Sequence, residues 1–263
     1  MKSKFSEKRT KEIVGERSPV SALSGEDSAR AISRDEKPFL AMREDVLSLI
    51  WKDMVLRGDF TEMIPRIRSV NLPKELIVKA AKINQNIQLP LEESPPPLAI
   101  DATAGLGEDA LLLAAAGFRV KLYERDEIIF SLLEDAVRRA IELPDEEEYA
   151  VLRQAVSRME ISNEDSIAAM NNLKKTSDLR PDVILLDPMF PERKKSSLVG
   201  KKLQILQQLE SPCDDEEELL GAALSLNPRR LIIKRPPKGP YLAGIKPTFS
   251  YSGKSVRIDC IAR

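Results

Sequence analysis

The chain has no histidine among its 263 residues. That absence removes Ser-His-Asp hydrolysis, histidine acid–base catalysis and nearly every zinc site. Only two cysteines are present, too few for a disulfide framework and in keeping with a reducing cytoplasm. Aromatic residues are scarce, 5% with a single tryptophan. No apolar run approaches the roughly 20 residues that a bilayer-spanning helix needs. The polar amino-terminus has no apolar signal segment. A cytoplasmic protein without membrane association and without a metal is expected. Carboxylates, lysine, arginine, backbone groups and a bound cofactor remain for chemistry.

A hydrophobic content of 42% supports a sizeable core, and the length suits one large domain with an extension. The net charge of −1 hides segregation. Beyond Glu192 basic residues outnumber acids, and most of those acids sit in the run Asp214 to Glu218, so the rest of that region is locally basic. Residues 1–37 are polar and expected to be disordered. Residues 38–96 read as a helical extension and linker. There Leu40, Val46, Leu47, Ile50, Trp51, Val55 and Leu56 recur at helical spacing and predict a helix over 38–56. A second helix is expected from Pro73 to Lys82, with proline in its first turn, before a proline-rich linker from Leu89 to Pro97.

From residue 97 to 263 strands and helices alternate. Strands are expected at Leu98–Ile100, Arg119–Tyr123, Met159–Ile161, Val183–Leu186 and Arg230–Lys234. The helices between them start near Glu108, Asp126, Asp145, Asp165 and Glu216. The tail from Thr248 reads as two strands around a turn containing Gly253. Repeated βα units imply an α/β fold with a parallel sheet covered on both faces, and the final hairpin adds antiparallel strands at one edge.

Two loops at strand ends carry the chemical signal. The first is Asp101-Ala102-Thr103-Ala104-Gly105-Leu106-Gly107. Glycine lets the backbone pass close to a ligand or adopt positive φ. A dinucleotide loop would continue as Gly-x-Gly-x-x-Gly, but here Glu108 and Asp109 follow. Two carboxylates would repel a pyrophosphate, yet they suit the sulfonium and amino group of S-adenosylmethionine. Glu124, at the end of the next strand, could accept hydrogen bonds from ribose hydroxyls, or could be a solvated strand end. Asp165 could contact an adenine amino group or simply cap its helix.

The second loop is Leu186-Asp187-Pro188-Met189-Phe190-Pro191. It has the shape of the (Asp/Asn)-Pro-Pro-(Tyr/Phe) loop of amino-group methyltransferases, with Met in the third place. An exocyclic amino group is a poor nucleophile because its lone pair is delocalised into the ring. Asp187 and the rigidly presented Pro188 carbonyl could accept its two N–H groups, and Phe190 could stack on the base. Arg193, Lys194, Lys195, Lys201, Lys202, Lys234 and Arg235 are candidates for neutralising phosphates. Methylation at a pyrimidine carbon-5 would need a thiol nucleophile, and neither Cys213 nor Cys260 lies in a motif.

Asp101-Ala-Thr-Ala-Gly-Leu-Gly-x-Asp109, Tyr123-Glu124-Arg125, Leu186 to Pro191, Lys195-Ser196-x-Leu198-Val199-x-Lys201-Lys202 and Lys234-Arg235-Pro236 together resemble the RsmJ family. These are bacterial guanine-N2 methyltransferases of small-subunit ribosomal RNA, and the Met of the acceptor loop is as that family has it. The resemblance covers roughly residues 74 to 263. It implies a class I methyltransferase fold, Rossmann-like, with a seven-stranded mostly parallel sheet. It implies methyl transfer from S-adenosylmethionine to the N2 amino group of a guanosine in 16S ribosomal RNA, alone or in the small ribosomal subunit. The site it implies has Asp187, Pro188 and Phe190 as catalytic residues. Asp101, Thr103, Ala104, Gly105, Gly107, Glu108, Asp109, Glu124, Arg125, Asp165, Ser166 and Asp187 would hold the cofactor. The chain departs from the family before Pro73, where a glycine-rich, arginine-containing segment is usual, at Asn163 to Ser166 and at Glu192. An amino methyltransferase of DNA, protein or a small molecule is one alternative; a non-catalytic RNA-binding protein of the same fold is another.

Overall fold

The computed structural model describes residues 38–82, 95–188 and 215–262. The expectations for residues 1–37, most of the proline-rich linker, and everything from Met189 to Asp214 lie outside these.

Two short runs buried at every position, β4 (Leu98–Asp101) and β7 (Val183–Leu186), form the centre of the larger sheet. Continuous apolar strands of this kind belong in a parallel sheet with helices on both faces. β5 (Arg119–Tyr123), β6 (Met159–Ser162) and β8 (Arg230–Arg235) continue it in parallel, and β9 (Phe249–Ser252) and β10 (Arg257–Ala262) close one edge antiparallel. The order is β6-β5-β4-β7-β8-β10-β9. The chain leaves β4 outward through β5 and β6, then returns to the other side of β4 at β7. The carboxyl ends of β4 and β7 therefore flank the switch point, where open α/β sheets bind their ligands.

The helices divide between two cores. On one face lie α1 (Ile64–Ile67), α2 (Leu76–Ala81), α3 (Glu108–Ala115), α4 (Glu127–Glu142) and α5 (Glu147–Val156), packed on Val120, Leu122, Leu185, Ile232 and Ile258. Every residue of α3 from Ala110 to Ala114 is buried. On the other face α6 (Ser166–Thr176) and α7 (Glu216–Ser225) cover Ile100, Ile184, Leu186, Leu231 and Ile233. None of the described helices is long and apolar enough to cross a membrane.

The structure corrects one expectation. Residues 38–56 form no helix; they form a three-stranded antiparallel meander, β1 (Phe39–Arg43), β2 (Val46–Trp51) and β3 (Met54–Leu56). Glu44 and Asp45 hold φ of 52° and 61°, and Lys52 holds 56°. Two consecutive left-handed residues make the tight turn that suits the twist of a hairpin. Each turn resets the phase of the apolar alternation, and the repeated reset imitates a helical period. The β-branched and aromatic content, Val46, Ile50, Val55 and Trp51, was the overlooked strand signal.

The meander packs Leu49, Met54 and Leu56 on Leu132 of α4, with Leu106 of the glycine loop at its margin. Asp135 of α4 fastens it, accepting the Leu47 N–H at 3.2 Å and hydrogen bonds from Arg138 and Arg139, while Arg139 also donates to the Gly58 carbonyl. Gly58 sits so close to α4 that a Cβ there would lie 2.8 Å from the Ala136 Cβ and 3.1 Å from the Leu132 carbonyl oxygen. Gly58→Ala is therefore expected to destabilise the protein by about 1–3 kcal/mol through overpacking. A lowered melting temperature together with a red shift in the emission of Trp51 would show the meander lifting from α4. An unchanged melting curve would contradict this account.

Candidate active site

The site is assembled from the ends of four parallel strands. Asp101, the last residue of β4, is 2% exposed. Its Oδ1 accepts the Thr103 N–H at 3.1 Å, turning the chain out of the sheet. The Ala102 N–H donates to the Leu185 carbonyl and the Ala104 N–H to the Tyr123 carbonyl, so the loop is sewn to both neighbouring strands. The Asp187 N–H donates to Thr103 Oγ1 at 2.6 Å, which joins the glycine loop to the end of β7.

The two glycines do different work. Gly105, at φ 53°, would meet nothing within 4 Å if it carried a Cβ, so its surface is open to a ligand. Gly107, at φ 78°, would place a Cβ 2.7 Å from Leu133 Cδ1 and 3.2 Å from Phe60 Cζ. The second glycine thus serves packing at the start of α3. Glu108 and Asp109 occupy the first turn of that helix, where the positive end of the dipole favours carboxylates. Arg66 offsets them from the side. The hydrogen bonds it donates to Glu75 chiefly hold its guanidinium above the ordinary arginine value, with Asp109 and Glu108 adding to the effect.

Glu124 is buried, and its two oxygens accept the Gly105 N–H at 2.8 Å and the Asp126 N–H at 2.9 Å. Burial raises its pKa while those two N–H groups oppose the rise. Each oxygen keeps a second lone pair, so the carboxylate both braces the glycine loop and can still accept from a diol. Asn163 supports it by donating to the Glu124 carbonyl at 2.9 Å. Asp165 caps α6, its Oδ1 accepting the Ala168 N–H at 2.9 Å. Ser166 is buried behind it. Arg125 pairs with Asp215 at 3.1 Å and lies 3.9 Å from Asp165. Arg125 therefore closes the rim between β5 and α7.

The centre of the site is a charge cluster that sequence reasoning did not foresee. Lys234 Nζ lies 2.6 Å from Asp109 Oδ2 and 2.9 Å from Asp187 Oδ2. Burial alone would pull this ammonium down, but Asp109 and Asp187 outweigh it and hold the pKa above the ordinary lysine value. Asp101 stands beside them. Its burial first, and then Asp109 and Asp187, push its carboxyl up to about 8, against the pull of the Thr103 N–H and Lys234. Asp187 is raised as well, by burial and Asp109 against Lys234. Asp109 and Asp187 thus share one ammonium with Asp101 beside them, which leaves an excess of carboxyl groups over cations in the cluster. A cationic group entering there would relieve it.

Lys234 and Arg235, both expected to reach phosphates, are placed otherwise. Successive strand residues point to opposite faces, so the neighbouring pair could not share one task. Lys234 turns with Ile232 toward α3 and the acids. Arg235 turns toward α7, is 2% exposed, and donates to the Pro240 carbonyl at 3.0 Å and to Glu216 at 3.3 Å. Pro188 is buried directly after Asp187. Phe190, Arg193, Lys194, Lys195, Lys201 and Lys202 lie outside the described residues. Cys260 is fully buried, and burial pushes its thiol up to about 12, which makes it inert as a nucleophile.

A parallel sheet with this strand order, a glycine loop after its first strand and an acid after its second, defines the fold of class I methyltransferases. The family model described as putative SAM-dependent methyltransferase matches residues 27–262, and the chain belongs to that family. The solved structure of a SAM-dependent methyltransferase from Neisseria gonorrhoeae is 28% identical, with a TM-score of 0.65 over 89% of this chain and 86% of that one. Relatives described as ribosomal RNA small subunit methyltransferase J carry the name to which the motifs pointed. The one from Hahella chejuensis is 42% identical over 163 residues, 62% of this chain and 57% of that protein. The one from Haemophilus influenzae is 40% identical over 169 residues, 64% and 62% respectively. The chain thus matches less than two thirds of the length of these relatives.

Asp101→Asn keeps the oxygen that accepts the Thr103 N–H and removes the ionisable group. The native carboxyl holds its proton to about pH 8, while an unfolded one releases it near 3.8. This group therefore costs stability as pH rises between those values. Asp101→Asn should flatten the fall of melting temperature over that window; an unchanged slope would show that Asp101 is ionised in the folded protein. Lys234→Met leaves the acids uncompensated. Its deficit in melting temperature is expected to be larger at pH 8 than at pH 5.5, where protonation relieves the repulsion. An equal deficit at both would assign Lys234 a packing role alone.

Proposed function

We propose that this protein transfers a methyl group from S-adenosylmethionine to the exocyclic N2 amino group of a guanosine in 16S ribosomal RNA, in the cytoplasm. The observation that carries the reading is the Asp187 carboxylate, fixed at the switch point beside the glycine loop and held by Lys234 through one oxygen. Its other oxygen is left as an acceptor. The names of the relatives support ribosomal RNA as the substrate.

The cofactor supplies an electrophilic methyl group when bound. The residues present fit it. Gly105 leaves room for its methionine portion, Asp109 provides a carboxylate for its cationic centres with the Asp101 carboxyl beside it, and Glu124 offers lone pairs for its ribose. Thr103, Ala104, Gly107 and Glu108 give the loop its shape around it, and Asp165 and Ser166, with Arg125, form the side nearest the adenine. On the acceptor side Asp187 and the Pro188 carbonyl take the two N–H groups of the target amine, which directs its lone pair toward the methyl donor. Burial raises the Asp187 carboxyl, and Lys234 opposes that rise, which favours the acceptor form. This is positioning and electrostatic preorganisation, with no covalent step on the protein. Residues 97–263 are the catalytic domain in this reading and residues 38–96 an extension, of which the described residues 38–82 brace the domain.

Tritiated methyl transfer from S-adenosylmethionine to small-subunit ribosomal RNA, naked and in subunits, is the direct test, with DNA and protein as competing acceptors. Label in N2-methylguanosine is expected. Label only in DNA or protein would sink the RNA reading. Asp187→Ala should lower transfer by at least about 100-fold, the scale of removing a preorganised polar group, while cofactor affinity changes far less. Retained activity would show that another group holds the amine.

A further inference from the structure

Among the described residues Arg235 is turned inward and Lys234 is committed to the acids, so a basic surface on this side of the sheet needs another source. The chain leaving β8 supplies it. Residues 236–248, Pro-Pro-Lys-Gly-Pro-Tyr-Leu-Ala-Gly-Ile-Lys-Pro-Thr, hold two lysines, four prolines and no acid. They start at the carboxyl end of β8, the strand paired with β7, which Asp187 directly follows.

The segment is braced from beneath. Arg235 donates to the Pro240 carbonyl at 3.0 Å, and Arg257 donates to the carbonyls of Pro237 at 3.2 Å and Gly239 at 3.0 Å. Arg235 and Arg257 stand opposite each other on β8 and β10. Arg257 is held in turn by both oxygens of buried Asp259 at 2.8 Å. Leu242, 1% exposed, anchors the segment in the core under α7. Ala243, at φ 45°, adopts a backbone conformation that side chains other than glycine rarely take. Strain of this kind persists where the surroundings fix the backbone, and it concentrates at binding sites.

This scaffold presents its polar and aromatic groups outward. Lys238, Tyr241, Ile245 and Lys246 are exposed. The Tyr241 ring is 39% exposed, and the Arg257 guanidinium lies 5.0 Å from its centroid. A ring backed by a cation on a rigid loop, next to lysines and without an acid, matches what an unpaired nucleotide needs. The base stacks on the ring, and the ammonium groups meet phosphates.

We propose that residues 236–248 form an RNA-binding rim, in which Tyr241 stacks on an unpaired base near the target nucleotide and Lys238 and Lys246 hold the flanking phosphates. The inference rests on the RNA reading above and adds the surface that makes the contact. Equilibrium binding of the full chain to in-vitro-transcribed 16S ribosomal RNA, without cofactor, tests it separately from methyl transfer. Tyr241→Ala should weaken binding about tenfold, the scale of losing one base–aromatic stack, and Tyr241→Phe should restore it. Lys238→Ala with Lys246→Ala should reduce the slope of log affinity against log salt by about 1.4, two single-strand phosphate contacts. S-adenosylmethionine affinity should be unaffected in every variant. RNA affinity unchanged in both Tyr241→Ala and the double lysine variant would overturn the rim even if the wild type methylates RNA. Binding that falls with these variants, from a wild type that transfers no methyl group to RNA, would keep the rim and overturn the reaction. Should Tyr241→Ala fail to fold, the exposed lysine pair decides the question.

Discussion

One ammonium among three carboxylates sets the terms for this site. Asp101, Asp109 and Asp187 come from a strand end, a helix start and a second strand end, and Lys234 of β8 reaches two of them. Bringing that much like charge together in a half-closed space is costly unless it is compensated. Lys234 compensates part of it, and a proton on Asp101 takes up more. The rest is left for a cationic ligand. Much of the architecture serves this arrangement: the crossover that places β4 beside β7, the tight burial of α3 that fixes Asp109, and Arg66 from the extension, which tempers the helix start.

The extension is therefore more than an appendage. Its meander touches the glycine loop through Leu106, and Phe60 abuts Gly107. The amino-terminal part of the chain thus supports the glycine loop through packing. The anchoring group, Asp135, is a buried acid on α4 that satisfies a strand amide and two arginines at once.

The parallel sheet was legible in the sequence because its strands are short, the two central ones are buried throughout, and helices separate them; Asp126 and Asp165 cap theirs as their residue type suggests. The meander was not legible, since its hairpin turns use Glu44, Asp45 and Lys52 at positive φ instead of glycine or asparagine. The loops of the site could be placed from their motifs, and Asp101, Gly105, Glu124 and Asp187 do converge. The partnerships among them could not be read. Lys234 and Arg235 look like one basic patch in a linear string, and only the pleat separates them, one toward the acids and one into the core. Tyr241 carried no motif at all; its setting depends on Arg257, sixteen positions later in sequence and on the strand that adjoins β8 in the fold.

The hydrogen bond from the Asp187 amide to the Thr103 hydroxyl has a further consequence. It ties the loop that would cradle the donor to the loop that would hold the acceptor, so neither can shift without the other. The separation between two reactants that never meet in the free protein is thus gauged in advance by a single side chain. Orientation that would otherwise be lost as entropy at the moment of encounter is built into the fold.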